Sequence, residues 1–173
     1  MAPSRIWSFT NLGFHYDGYH VTDFYRALYR GMVDLGYNTS EWLQARGFYN
    51  EGSEAVVSRW IATRESEAKY SLNCMTITSK IIWKNVPKPG TSAETKNPPL
   101  VPKGTFDLTI NGFIVLDFLN VWGESLILKP FSSLRDNLMR RRMKGNLMSA
   151  SRKEGDLLIK NMREFSSFLP TIK

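Results

Sequence analysis

Residues 105–118 read TFDLTINGFIVLDF, and their alternation limits what the chain can become. Phe106, Leu108, Ile110, Ile114, Leu116 and Phe118 fall on one side of an extended segment, with Gly112 filling the pattern. Thr105, Asp107, Thr109, Asn111 and Asp117 fall on the other. A period of two predicts a strand with one apolar face and one wet face. At about 3.3 Å per residue it would run roughly 45 Å, with Gly112 as the place where it bends. Such a strand needs neighbours, and its apolar side needs a cover.

Two further runs supply neighbours. Residues 53–66, SEAVVSRWIATRES, and 69–86, KYSLNCMTITSKIIWKNV, are rich in Val, Ile, Thr, Tyr and Trp, the residues that suit a pleated surface. They predict a hairpin turning near residues 67–69, with a bulge near Ser79 where the alternation falters. Residues 87–103 hold five of the eight prolines and read as a long loop.

Helices supply the cover. Thr22 has the chemistry of an N-cap and Asp23 suits a first turn. Phe24, Ala27, Leu28, Gly31 and Leu35 then form a helical stripe, and Gly36 stands where a left-handed cap belongs. Ser40 predicts a short second helix over residues 41–47. The aromatic lead at residues 6–20 reads as a turn-rich segment, with turns at residues 11–13 and 17–18. In the last quarter, Pro130 opens a helix that Gly145 weakens. Ser151 with Glu154 has the capping-box spacing and predicts a second helix, burying Leu157, Leu158, Met162, Phe165, Phe168 and Leu169 until Pro170 ends it. The expected class is α+β: an antiparallel sheet of three or more long strands covered by an N-terminal helix and C-terminal helices.

Charge divides the chain. Residues 1–128 hold 12 Lys/Arg and 12 Asp/Glu, whereas residues 129–173 hold 11 and 4 and so carry the whole net charge of +7. The expected organisation is a neutral body (1–128) and a basic helical segment (129–173) packed on the same domain. Within that segment, Arg140, Arg141, Arg142 and Lys144 are set among Leu138, Met139, Met143 and Leu147. Leu134 and Leu138 share one side of a helix, and Met139, Met143 and Leu147 nearly the opposite side. Apolar residues on both sides fit a helix held between its own body and a partner, and methionine suits adaptable contacts.

Four stretches, DFYRALYRGMVDLGY, SRWIATRESEAKY, KGTFDLTINGFIVLDF and KPFSSLRDNLMRRRM, together resemble a group of small uncharacterised archaeal and viral proteins. The resemblance implies one α+β domain and carries no activity with it.

Catalytic patterns are missing. There is no GxxxxGK[ST], GxGxxG, GxSxG, HExxH or CxxC pair. His15, Asp17 and His20 offer metal-binding atom types at a spacing that fits no strong template. Asp107 and Asp117 are roughly 33 Å apart along a straight strand, at about 3.3 Å per residue, too far for an acid–base pair with each other. Glu124 is the remaining carboxylate weighed for that role. Cys74, the sole cysteine, reads as a packed thiol and excludes an intrachain disulfide. No signal peptide and no apolar span of membrane length is recognisable.

The expectation is therefore a non-catalytic subunit of a larger assembly, a virion or phage-tail component among the candidates. It would be cytoplasmic or virion-borne, without cofactor or metal. Leu138, Met139, Arg140, Arg141, Arg142, Met143, Lys144 and Leu147 would meet other protein subunits in a homo- or hetero-oligomer. The alternatives are a nucleic-acid-binding protein using the same segment without reading sequence, and a small-molecule-binding domain with Trp60, Trp83, Phe113 and Trp122 about a cavity.

Overall fold

The computed structural model describes residues 4–49, 52–65, 71–90, 98–116 and 131–169; between 132 and 145 it places the side chains of Leu134 and Asn137 only. Five strands form one antiparallel sheet: β1 (Ser4–Tyr19), β2 (Asn38–Tyr49), β3 (Ser53–Glu65), β4 (Ser71–Pro87) and β5 (Leu100–Leu116). Helix α1 (Asp23–Asp34) follows β1, and helix α2 (Ser132–Phe168) follows β5. The spatial order is β1-β5-β4-β3-β2, so the first strand pairs with the last and both edges come from the N-terminal third.

This overturns the expected α+β class. The molecule is mostly β, and it opens with a strand where turns and then a helix were expected. The turn signals at residues 11–13 are absorbed by a bulge. The pairing of β1 with β5 shifts between Phe9 and Leu12, Asn11 adopts φ 56°, and its N–H donates to Asn111 Oδ1 at 2.8 Å. Asn is among the few residues that take this conformation readily, so the chain kinks and stays in the sheet. The short helix expected over 41–47 is strand β2. Seven residues barely nucleate a helix, whereas pairing with β3 from Asn38↔Thr63 to Tyr49↔Ser53 satisfies one edge of the backbone.

Other expectations shift for similar reasons. No register break occurs at Ser79; the breaks lie in β1 and between Glu41 and Leu43 in β2. The proline stretch 87–103 is partly strand. Pro87 pairs with Leu100, Asn85 with Pro102, and the Pro102 carbonyl accepts the N–H of His20. The two C-terminal helices are one helix that runs through Gly145 and Ser151. Ser151 is buried and shares a hydrogen bond with Ser8 Oγ at 3.0 Å, so it caps nothing. Thr22 stands at the start of α1 without a capping bond; the first N–H groups of the helix instead reach the carbonyls of His20, Val21 and Thr22. Gly36 ends α1 at φ +76°, in the left-handed region that favours glycine.

The core lies on one face of the sheet. Trp60 of β3, Met75, Ile77 and Ile81 of β4, and Phe106, Leu108 and Ile110 of β5 meet Phe24, Leu28 and Met32 of α1 and Leu158, Ile159 and Met162 of α2. Phe24 stacks on Phe106 with ring centroids 4.9 Å apart. The stripe that α2 buries is Ser151, Gly155, Leu158, Ile159 and Met162, whereas Leu157 and Phe168, expected inside, are exposed. The ring of Phe9 fills the gap between sheet and helix so closely that a Cβ on Gly112 below it or on Gly155 above it would lie 2.1 or 2.7 Å from its atoms.

Candidate functional site

The residues singled out in the basic segment fall in the first half of α2. The backbone there is helical from Ser132, and the side chains of Leu138, Met139, Arg140, Arg141, Arg142, Met143 and Lys144 lie outside the described residues. Leu147 is half-buried. All the buried positions described in α2 lie from Ser151 onward. Upstream, Phe131, at the helix start, Leu134, Asn137, Asn146, Ser149 and Ala150 are exposed. The helix is 37 residues long, or about 55 Å at 1.5 Å per residue, so roughly its first half carries none of the packing described for the core.

A second polar constellation joins the helices to the sheet. Arg64 of β3 donates to the Leu35 carbonyl at 2.7 Å and pairs with Glu154 of α2. Tyr37 Oη donates to the other Glu154 oxygen at 2.5 Å, and the guanidinium lies 5.0 Å from the Tyr37 ring centre. Burial, then the Glu154 carboxylate, pushes the Tyr37 phenol well above its ordinary value. The open cleft beside it, about 400 Å³, is bounded by Val33, Gly36, Tyr37, Asn38, Thr63, Arg64, Glu65 and Leu72. Arg64 and Glu154 spend their charges on each other and on the α1 terminus, so the constellation works as a clasp between elements.

The remaining sequence candidates separate. His15 Nδ1 meets Asp107 Oδ1 at 2.6 Å on the outer face, while His20 lies 3.6 Å from Asp23. No group of three His, Cys, Asp or Glu suited to a metal ion occurs among the described residues. Asp117 and Glu124 lie outside those residues. Cys74 is 3% exposed, and burial pushes its thiol up to about 11, which leaves little thiolate at neutral pH. Trp60 is buried in the core, Trp83 packs at its margin, and Phe113 points to the opposite face, so these three line no common cavity; Trp122 lies outside the described residues.

Sequence reasoning missed a row of cations on that opposite face: Arg59, Lys80, Lys84 and Lys103, with Tyr19, Trp42 and Tyr49 beside them. They are spread over 85 positions, from 19 to 103, and only the strand register brings them together. No helix among the described residues is long and apolar enough to cross a membrane. No protein-family model matches the chain, and no curated protein matches it.

Proposed function

We propose that the chain is a non-catalytic subunit of a larger assembly. The first half of α2, with Leu138, Met139, Arg140, Arg141, Arg142, Met143, Lys144 and Leu147, is the surface that meets other subunits. The observation that carries this reading is the division of one continuous helix. Its second half is anchored by Gly155, Leu158, Ile159 and Met162, while Phe131 and Leu134, large apolar side chains, stand exposed at the other end. Exposed apolar residues on a helix with basic neighbours fit a protein partner whose contact surface is apolar with an acidic rim.

The test is molar mass by light scattering, for the wild type and for Leu134→Glu, at low and physiological salt, with and without added nucleic acid. A defined oligomer that Leu134→Glu reduces to monomer supports the reading. A chain that stays monomeric at high concentration overturns it, and mass gained only with nucleic acid at low salt, and lost in Arg140→Ala/Arg141→Ala/Arg142→Ala, moves the same segment to a phosphate-binding role.

A further inference from the structure

Strand register sorts the side chains of the sheet into rows, and the rows on the face away from the core have a chemistry of their own. At one end, Trp7, Phe113 and Cys74 stand in line, and Cys74 is buried. Toward the other end the face opens. Lys103 of β5 lies directly opposite Lys84 of β4 and beside Tyr19 of β1; both lysines are exposed. Two pairs further along, Lys80 lies opposite Asp107, and Arg59 of β3 follows one pair beyond, opposite Thr78. Each of Lys103, Lys80 and Arg59 lies over an aromatic ring: Tyr19 at 5.1 Å, Tyr49 at 5.7 Å and Trp42 at 5.7 Å. Trp42 is 56% and Tyr49 54% exposed.

Two features say what this surface is for. Like charges directly opposite each other on a sheet repel, and among the described residues no ion pair joins Lys84 or Lys103 to a carboxylate. An anionic partner would turn that repulsion into attraction. Among the described residues, the carboxylates on this half of the face are Asp107 and Asp17, and Asp107 is held by His15. The cations also lie beside flat rings, Trp42 and Tyr49 exposed and Tyr19 half-buried. An acidic protein or a lipid headgroup would use the charge and leave the rings idle. A single-stranded nucleic acid uses both, with phosphates on the ammonium and guanidinium groups and unpaired bases on the rings.

We propose that the open half of the outer sheet face binds single-stranded nucleic acid, with Arg59, Lys80, Lys84 and Lys103 on phosphates and Tyr19, Trp42 and Tyr49 as stacking platforms. This surface is separate from α2, so the assembly reading and this one stand or fall independently.

The experiment is fluorescence anisotropy with a labelled 20-nucleotide oligothymidylate on the full chain across a salt series. Four phosphate contacts give a slope of log affinity against log salt of about −3, at about −0.7 per contact. Lys84→Ala/Lys103→Ala cuts that slope by about 1.4. Trp42→Ala/Tyr49→Ala weakens binding by roughly tenfold or more and leaves the slope unchanged. Arg140→Ala/Arg141→Ala/Arg142→Ala leaves binding intact. Circular dichroism confirms that each variant retains its strands, and Lys84→Glu, which sets a carboxylate opposite Lys103, weakens binding without loss of fold. Failure of the wild type to bind at 50 mM salt overturns the proposal. So does binding lost only in the arginine variant, a duplex bound as tightly as the single strand, or binding confined to vesicles of anionic lipid.

Discussion

The two faces of the sheet are built from the same strands taken at alternate positions, yet they are held by different physics. On the covered face, Phe106, Ile110, Met75, Ile77 and Trp60 are removed from water, and three of the polar residues there, Arg64, Glu154 and Tyr37, are clasped to one another. On the outer face, Thr76, Thr78, Thr105 and Thr109 occupy the middle, half-buried, and the charged and aromatic residues of the open end meet through cation–ring contacts. The covered face supplies the free energy of folding, because apolar burial scales with the area removed from water. The open end of the outer face contributes little to stability and remains available for recognition, because exposed charge pairs and rings are individually weak.

Substitutions break this contrast in order of size. Phe106→Ala removes a fully buried ring stacked on Phe24 and should cost about 3–5 kcal/mol, read as the shift of the urea midpoint at constant slope. Glu154→Ala leaves Arg64 and the Tyr37 hydroxyl without their shared acceptor at the α1–α2–β3 junction, and should cost about 2 kcal/mol.

A smaller effect appears with alkali. Burial and the Glu41 carboxylate push Tyr25 from an ordinary value of 10.0 up to about 12, and burial pushes Cys74 from 9.0 to about 11. Both groups hold their protons longer in the folded chain than in the unfolded one. Their contribution is therefore complete below about pH 9 and is lost as pH rises toward 12. Thermal unfolding between pH 8 and pH 12 should show this fall, and Tyr25→Phe should flatten it above pH 10. On the outer face, Lys84→Ala relieves the repulsion with Lys103 and should raise stability by about 0.3 kcal/mol. A loss of more than about 1 kcal/mol there would mean that the open end of the outer face does structural work.

The covered face was the more legible of the two in sequence. The alternation of residues 105–118 names most of the core side of β5, and the spacing of Phe24, Leu28 and Gly31 names the buried stripe of α1. Both signals come from the periodicity of apolar residues. Strand β1 carries turn residues at 11–13 that its bulge absorbs and at 17–18 that pair regularly with β5, and the edge strand β2 is mostly exposed, so it lacks the alternation that marks a half-buried strand. The end of the sequence misled for a different reason. Ser151 and Glu154 match a helix start, but tertiary partners, Ser8 for one and Arg64 with Tyr37 for the other, take both side chains. The expected partner-binding residues at 138–144 follow from charge and helical spacing alone. The cation rows on the sheet could not be read that way, since they exist only once β3, β4 and β5 are in register.

Phe9, Gly112 and Gly155 share a single volume, although 103 and 43 residues separate them in turn. Space there can be redistributed but not added. A methyl group gained at either glycine is tolerable only if position 9 shrinks, for instance to leucine, and each such change alone is a defect. The three positions would therefore drift through sequence space as a set, with the first strand, the last strand and the last helix exchanging bulk so that their sum is conserved.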